Sequence, residues 1–218
     1  MTEQKSPPQP VPYGHLRPNL QTGDLVLFHG LDLESAFIEL LEHSPWSHVG
    51  MVIRLSCLDY PLLWESTPLH LLKDPLLLQA KSGPRLVSLD DRLQMALDLG
   101  LYNRFMVRQL KVSRSQNMLS ALTEFIAEVH RLSYPGNWEM LKDFLEGRLL
   151  SGSPETRRSF FCAELVAESY MRMELLPASP PSNAYLPKDF SGQEHLTLLR
   201  SASLGPAITI YLGQENGR

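Results

Sequence analysis

An α+β fold, with a small antiparallel sheet packed against helices, is what this sequence predicts. Three observations carry that reading. Short apolar runs of strand length recur at LVLFHG, VGMVI and LLWE. Residues 115–132 and 160–176 show helical apolar spacing. Strands and helices also interleave without the regular alternation of a parallel α/β sheet. The chain has 218 residues, 43% of them hydrophobic and 20% charged, enough to bury a full core and to exclude whole-chain disorder. One domain over 21–218 suffices, behind a tail.

That tail, residues 1–20, holds Pro7, Pro8, Pro10, Pro12 and Pro18 and few large apolar side chains, so it is expected to be flexible with polyproline character. A proline-rich ligand for a partner protein is one use for it; a plain solvated tail is the other. Gly23-Asp24 punctuates the start of the LVLFHG strand. DLESAFIELLE, 32–42, spaces Leu33, Phe37, Leu40 and Leu41 as an amphipathic helix capped by Asp32 and ended before Pro45. VGMVI and LLWE follow as strands, and the short SCLDYP loop makes an antiparallel hairpin their simplest connection. The Leu-rich stretch 69–81, broken by Pro68 and Pro75, takes no clear assignment. SLDDRLQMALDL is a helix capped by Ser88, RFMVRQLKV a strand, and SQNMLSALTEFIAEVHRL a helix with Leu119, Leu122, Phe125, Ile126 and Val129 on one face. A helix closed by Gly147, another over FFCAELVAESYMRMELL, and strands at HLTLLR and AITIYLG complete the chain.

Several function classes drop out early. A formal charge of −4 without a Lys/Arg block gives no electrostatic footprint for nucleic acid. Two distant cysteines, Cys57 and Cys162, build neither a disulfide scaffold nor a four-cysteine zinc site. No HExxH, CxxC or glycine-rich phosphate loop occurs, so neither a metal nor a cofactor is expected. With no apolar signal-peptide region and no transmembrane-length run, the expectation is a cytoplasmic protein.

Cys162 is the candidate nucleophile. The sequence puts it where a polar, Arg-containing loop enters a helix, and a thiol in a first helical turn gains from free N–H groups and the macrodipole. A structural cysteine packed beneath Phe160 and Phe161 is the competing reading. A thiol nucleophile needs a base, and His48, at the first position of the VGMVI strand, is the candidate; His43 in the same loop competes. If the two strands of the hairpin turn near residues 56 and 57, Glu65 stands directly opposite His48, close enough to hold the imidazole's tautomer. A one-residue slip would turn Glu65 to the other face.

Taken in order, SPWSHVGMVI, WES, YPGNW, FFCAELV and LPKDF resemble the circularly permuted branch of the NlpC-like, papain-fold cysteine amidases, the branch grouped with YiiX-like proteins and a poxvirus homologue. The resemblance spans about 22–190. It implies a permuted papain-like fold, with Cys162 as nucleophile, His48 as base and acid, and Glu65 as the orienting group. The activity it implies is thiol-protease-like hydrolysis of an amide or ester bond through a thioester, or acyl transfer on the same fold. Ala163 departs from the serine often found after the nucleophile, and 69–87 matches nothing in the pattern. Tyr134, in the SYPGNW turn, is a candidate substrate-binding residue. The substrates expected are small-molecule, lipid-like or peptide, with an N-acyl or lipid-like acyl group favoured by the Leu-rich insertion. A non-catalytic binding module of the same fold is the alternative.

Overall fold

A computed structural model describes residues 9–30, 44–130, 154–193 and 195–213, with the side chains of 154–161 left aside. The helices expected over 32–42 and before Gly147, and with them His43 and Tyr134, lie outside the described residues.

The fold is α+β, and its sheet is larger than the sequence led one to expect. Strands β1 (Val11–Pro12), β2 (Leu25–Gly30), β3 (His48–Ile53), β4 (Leu62–Thr67), β7 (Gly83–Ser88), β8 (Tyr102–Arg108) and β11 (Ile208–Tyr211) join in the order β1-β11-β8-β2-β3-β4-β7. All pairings are antiparallel except β1 with β11. β7 is a strand that the sequence reading did not include; it carries Pro84 at its second position, and an edge strand tolerates that missing N–H. Two small ribbons stand apart, β5 (Lys73–Asp74) with β6 (Gln79–Ala80), and β9 (Leu110–Lys111) with β10 (Ser203–Leu204). The expected strand at RFMVRQLKV therefore divides at Gln109. HLTLLR forms no strand; pairing at this end of the chain begins at Ser203.

The proline-rich segment is also corrected. From Val11 it is ordered: β1 pairs with β11, α1 (Tyr13–Leu16) and a 3₁₀ turn follow, and Tyr13 and Leu20 are buried. Its anchor is Asp90 of α2 (Leu89–Asp98), which accepts from the Tyr13 hydroxyl at 2.6 Å and from Arg17 Nη2 at 2.7 Å. Composition alone could not reveal these long-range partners.

Each face of the sheet buries its own core. On one side, α3 (Gln116–His130) and α4 (Pro154–Arg172) cover Leu25, Leu27, Val49, Met51 and Trp64. The α3 contribution is Met118, Leu122, Phe125 and Val129, one helical stripe. α4 is tied down by Trp64 Nε1, which donates to Ser169 Oγ at 3.2 Å, and by the Tyr170 hydroxyl, which donates to the Gly23 carbonyl at 2.7 Å. On the other side, Leu89, Leu93 and Ala96 of α2 pack with Val26, Phe28, Val52, Leu63, Val87 and Phe105. Ser88 caps α2 through the Asp91 N–H, as its sequence position predicts. A short α5 (Pro187–Ser191) adds Phe190 to the first core.

Candidate active site

His48 opens β3, and its ring lies on the α2 side of the sheet. The register pairs it with Phe28, whose ring meets it edge-on at 5.2 Å between centroids. Glu65, two residues beyond Leu63 on β4, points to the same side, because side chains alternate along a strand. His48 Nε2 and Glu65 Oε2 are 2.8 Å apart, and the Glu65 side chain is completely buried.

The pairing arises from a different register than direct opposition. Met51 faces Trp64, which shifts the ladder by two residues and brings Gly50 level with Glu65. A two-residue shift preserves the face, so His48 and Glu65 meet as diagonal neighbours. Gly50 is needed here for space: a Cβ there would lie 2.8 Å from Leu63 Cδ1 and 2.9 Å from its Cγ. Gly50→Ala is expected to cost about 1–3 kcal/mol through overpacking, read as a fall in the urea midpoint.

Two arginines complete the cluster. Arg85, opposite Glu65 on β7, donates to Oε1 from Nη2 at 2.7 Å and from Nε at 3.1 Å. Arg92 of α2 donates from Nε to both carboxylate oxygens at 3.0 Å. Its guanidinium carbon also lies 4.8 Å from the Phe28 ring centroid and 5.2 Å from that of Tyr102, within cation–π range. Both arginine side chains are fully buried.

This environment sets the protonation states. Burial by itself would raise the Glu65 pKa, but the Arg92 and Arg85 cations and the His48 hydrogen bond outweigh it and hold the carboxyl well below its usual range. Burial lowers the His48 pKa, and the Glu65 hydrogen bond and charge offset only part of that. Near neutral pH the pair is therefore a carboxylate and a neutral imidazole. An ionised carboxylate only accepts, so Nε2 carries the proton and the ring's lone pair is at Nδ1.

Cys162 stands differently from what its sequence position suggests. α4 begins at Pro154, so Cys162 is the ninth helical residue, more than two turns inside, and the first-turn dipole argument does not apply. The residue is fully buried in the core that α4 shares with the sheet, on the opposite side from Phe28 and the His48 ring. Tyr102, at the start of β8, stands beside His48 and Phe28. Its ring centroid is 6.2 Å from that of His48. Burial dominates in pushing the Tyr102 pKa up to about 12, with Arg92 pulling it down and Glu65 and Cys162 pushing it up. The structure thus joins His48 to Glu65 directly, and places Cys162 in the other core. Tyr134 lies outside the described residues. Cys57 is exposed.

Sequence reasoning missed Arg85, Arg92 and Tyr102. Arg92 left a trace: it interrupts the Leu89, Leu93, Ala96 stripe, where a cation implies a buried partner.

No family model matches the chain, and comparison with curated proteins finds no match. Among solved structures, the chain resembles the crystal structure of metalloprotein YiiX from Escherichia coli O157:H7, with 18% identity and a TM-score of 0.45. The likeness covers 71% of this chain and 66% of that protein, so the chain spans just under two thirds of its length. Among the described residues, no helix is long and apolar enough to cross a membrane.

Proposed function

We propose that this protein is a cysteine hydrolase of the permuted papain-like type, cleaving an amide or ester bond through a thioester acyl-enzyme. The observation that carries the reading is the buried His48–Glu65 pair, with its carboxylate kept ionised by Arg85 and Arg92. Such a pair fixes an imidazole in one tautomer and stabilises the cation formed when it accepts a proton.

The proposed reaction requires the Cys162 thiol and the His48 ring, which face opposite sides of the sheet, to meet past the strand ends; there His48 Nδ1 takes the thiol proton and the thiolate attacks the substrate carbonyl carbon. The tetrahedral intermediate collapses to the thioester as His48 protonates the leaving amine or alcohol. Water then attacks the thioester, His48 accepts its proton, and the thiol re-forms as the carboxylic acid leaves. An acceptor other than water turns the same cycle into acyl transfer. N-acyl or lipid-like substrates are favoured over murein peptides by the apolar character of the insertion after β4.

A second reading, a non-catalytic binding module, is favoured by one observation: Cys162 is buried in a helix interior. Alkylation separates the two, because Cys57 is an exposed internal reference. The hydrolase reading expects iodoacetamide to modify Cys162 at a pH well below the ~8.5 midpoint of an ordinary thiol, with His48→Ala abolishing that advantage. A Cys162 that reacts no faster than Cys57 at every pH supports the binding module.

A further inference from the structure

The chain leaves the sheet after β4 and returns at β7, and the β5–β6 hairpin in between is both exposed and firmly held. Leu71, Leu76 and Leu78 are 57%, 52% and 80% exposed. Leu78 has a φ of 57°, a left-handed conformation that is costly for a leucine, and its N–H donates to the Asp74 carbonyl at 2.8 Å to close the turn. With the side chain so exposed, packing within the chain does little to offset that cost.

The anchors are buried. Asp74 Oδ1 accepts from the Leu76 and Leu77 N–H groups, and Oδ2 accepts from the Leu86 N–H and bonds to His130 Nε2. Arg85 Nη1 donates to the Leu69 carbonyl at 2.6 Å and to that of Lys81 at 3.2 Å, clasping both ends of the excursion. The guanidinium that holds Glu65 therefore also holds the base of the hairpin.

Charge narrows the choice of occupant. Between residues 68 and 82 the sole acid is Asp74, which is fully buried, whereas Lys73 is exposed. The hairpin therefore presents leucines and a cation, with no exposed carboxylate. Leu78, at 80% exposure, projects outward from the turn. Protruding apolar groups beside a cation match the boundary between anionic headgroups and acyl chains.

We propose that the β5–β6 hairpin docks this protein on an anionic lipid surface, with Leu71, Leu76 and Leu78 entering the acyl-chain boundary and Lys73 at headgroup level. This goes beyond the hydrolase reading and stands without it, since docking does not use the Cys162 thiol. If both hold, the site works on acyl groups presented at an interface.

The test is co-sedimentation of the full chain with phosphatidylglycerol or phosphatidylcholine vesicles. Phosphatidylglycerol vesicles are expected to bind the protein, and Leu71→Ser/Leu76→Ser/Leu78→Ser to weaken binding at least about tenfold. Lys73→Gln is expected to weaken it about fivefold. Leu97→Ser/Leu99→Ser, changing exposed leucines at the end of α2, and Cys162→Ala should bind as wild type does. Leu78→Gly should weaken binding without lowering the thermal midpoint, because glycine accepts the left-handed turn; a merely structural leucine would not separate the two readouts. Absence of binding to either vesicle, equal binding to both, or undiminished binding by the triple variant overturns the proposal.

Discussion

Glu65→Ala is expected to lower stability by about 3–5 kcal/mol, the cost of leaving buried charges without their partner. Glu65 receives hydrogen bonds from Arg85 and Arg92, both fully buried, and is paired with His48. Against a typical total of about 5–15 kcal/mol, that loss leaves little reserve. The urea midpoint is the measurement, and a midpoint within error of wild type would show that the cluster does not hold the fold together. Glu65→Leu/Arg85→Met/Arg92→Met should be less destabilised than Glu65→Ala, because removing all three charges also removes their desolvation cost. Acid supplies a second check. A depressed carboxyl contributes stability that is complete above its unfolded pKa of ~4.3 and is lost as pH falls through the folded value. His48, also depressed, acts in the same direction over a higher window, from ~6.5 downward. Wild type should thus weaken in two acid stages, and His48→Gln should lack the upper one.

Cys162→Ala is expected to reduce hydrolysis of a responsive ester or amide by at least ~10³-fold while leaving the unfolding midpoint within about 1–2 kcal/mol of wild type. His48→Ala should lose a comparable factor, and the double variant little more, since nucleophile and base act as a unit. In wild type, kcat/KM should rise with pH along a limb centred below ~6.5, because burial favours the neutral imidazole. In Glu65→Gln that limb should move lower still, since the carboxylate that favours the imidazolium is gone, and the plateau should fall. An active Cys162→Ala protein would defeat the hydrolase reading and return attention to the binding module.

Much of the local structure was legible. The α3 stripe, the Ser88 cap and the three apolar strands depend on residues close together in sequence, whose periodicity and hydrogen-bonding groups act over a few positions. The association of His48 with Glu65 was legible for a related reason, since the face on which a strand residue points depends only on parity. The two-residue register shift kept that parity, so the pair survived an incorrect direct opposition. The ordered segment from Val11 was not legible, because its partners, Asp90 and β11, lie about eighty and two hundred residues away. The reach of α4 back to Pro154 was hidden as well, since SGSPETRRS is polar and reads as loop.

By itself, then, the sequence determined the α+β class and the chain order of His48, Glu65 and Cys162, and pointed to the association of the first two. Only the tertiary structure decided that Arg85 and Arg92 converge on Glu65, that Cys162 is buried across the sheet from His48, and that the leucines after β4 stand on a clasped hairpin. The division is physical. Propensity and parity are local and can be read residue by residue, whereas register, layering and the partners of buried charges follow from burying the whole sheet at once.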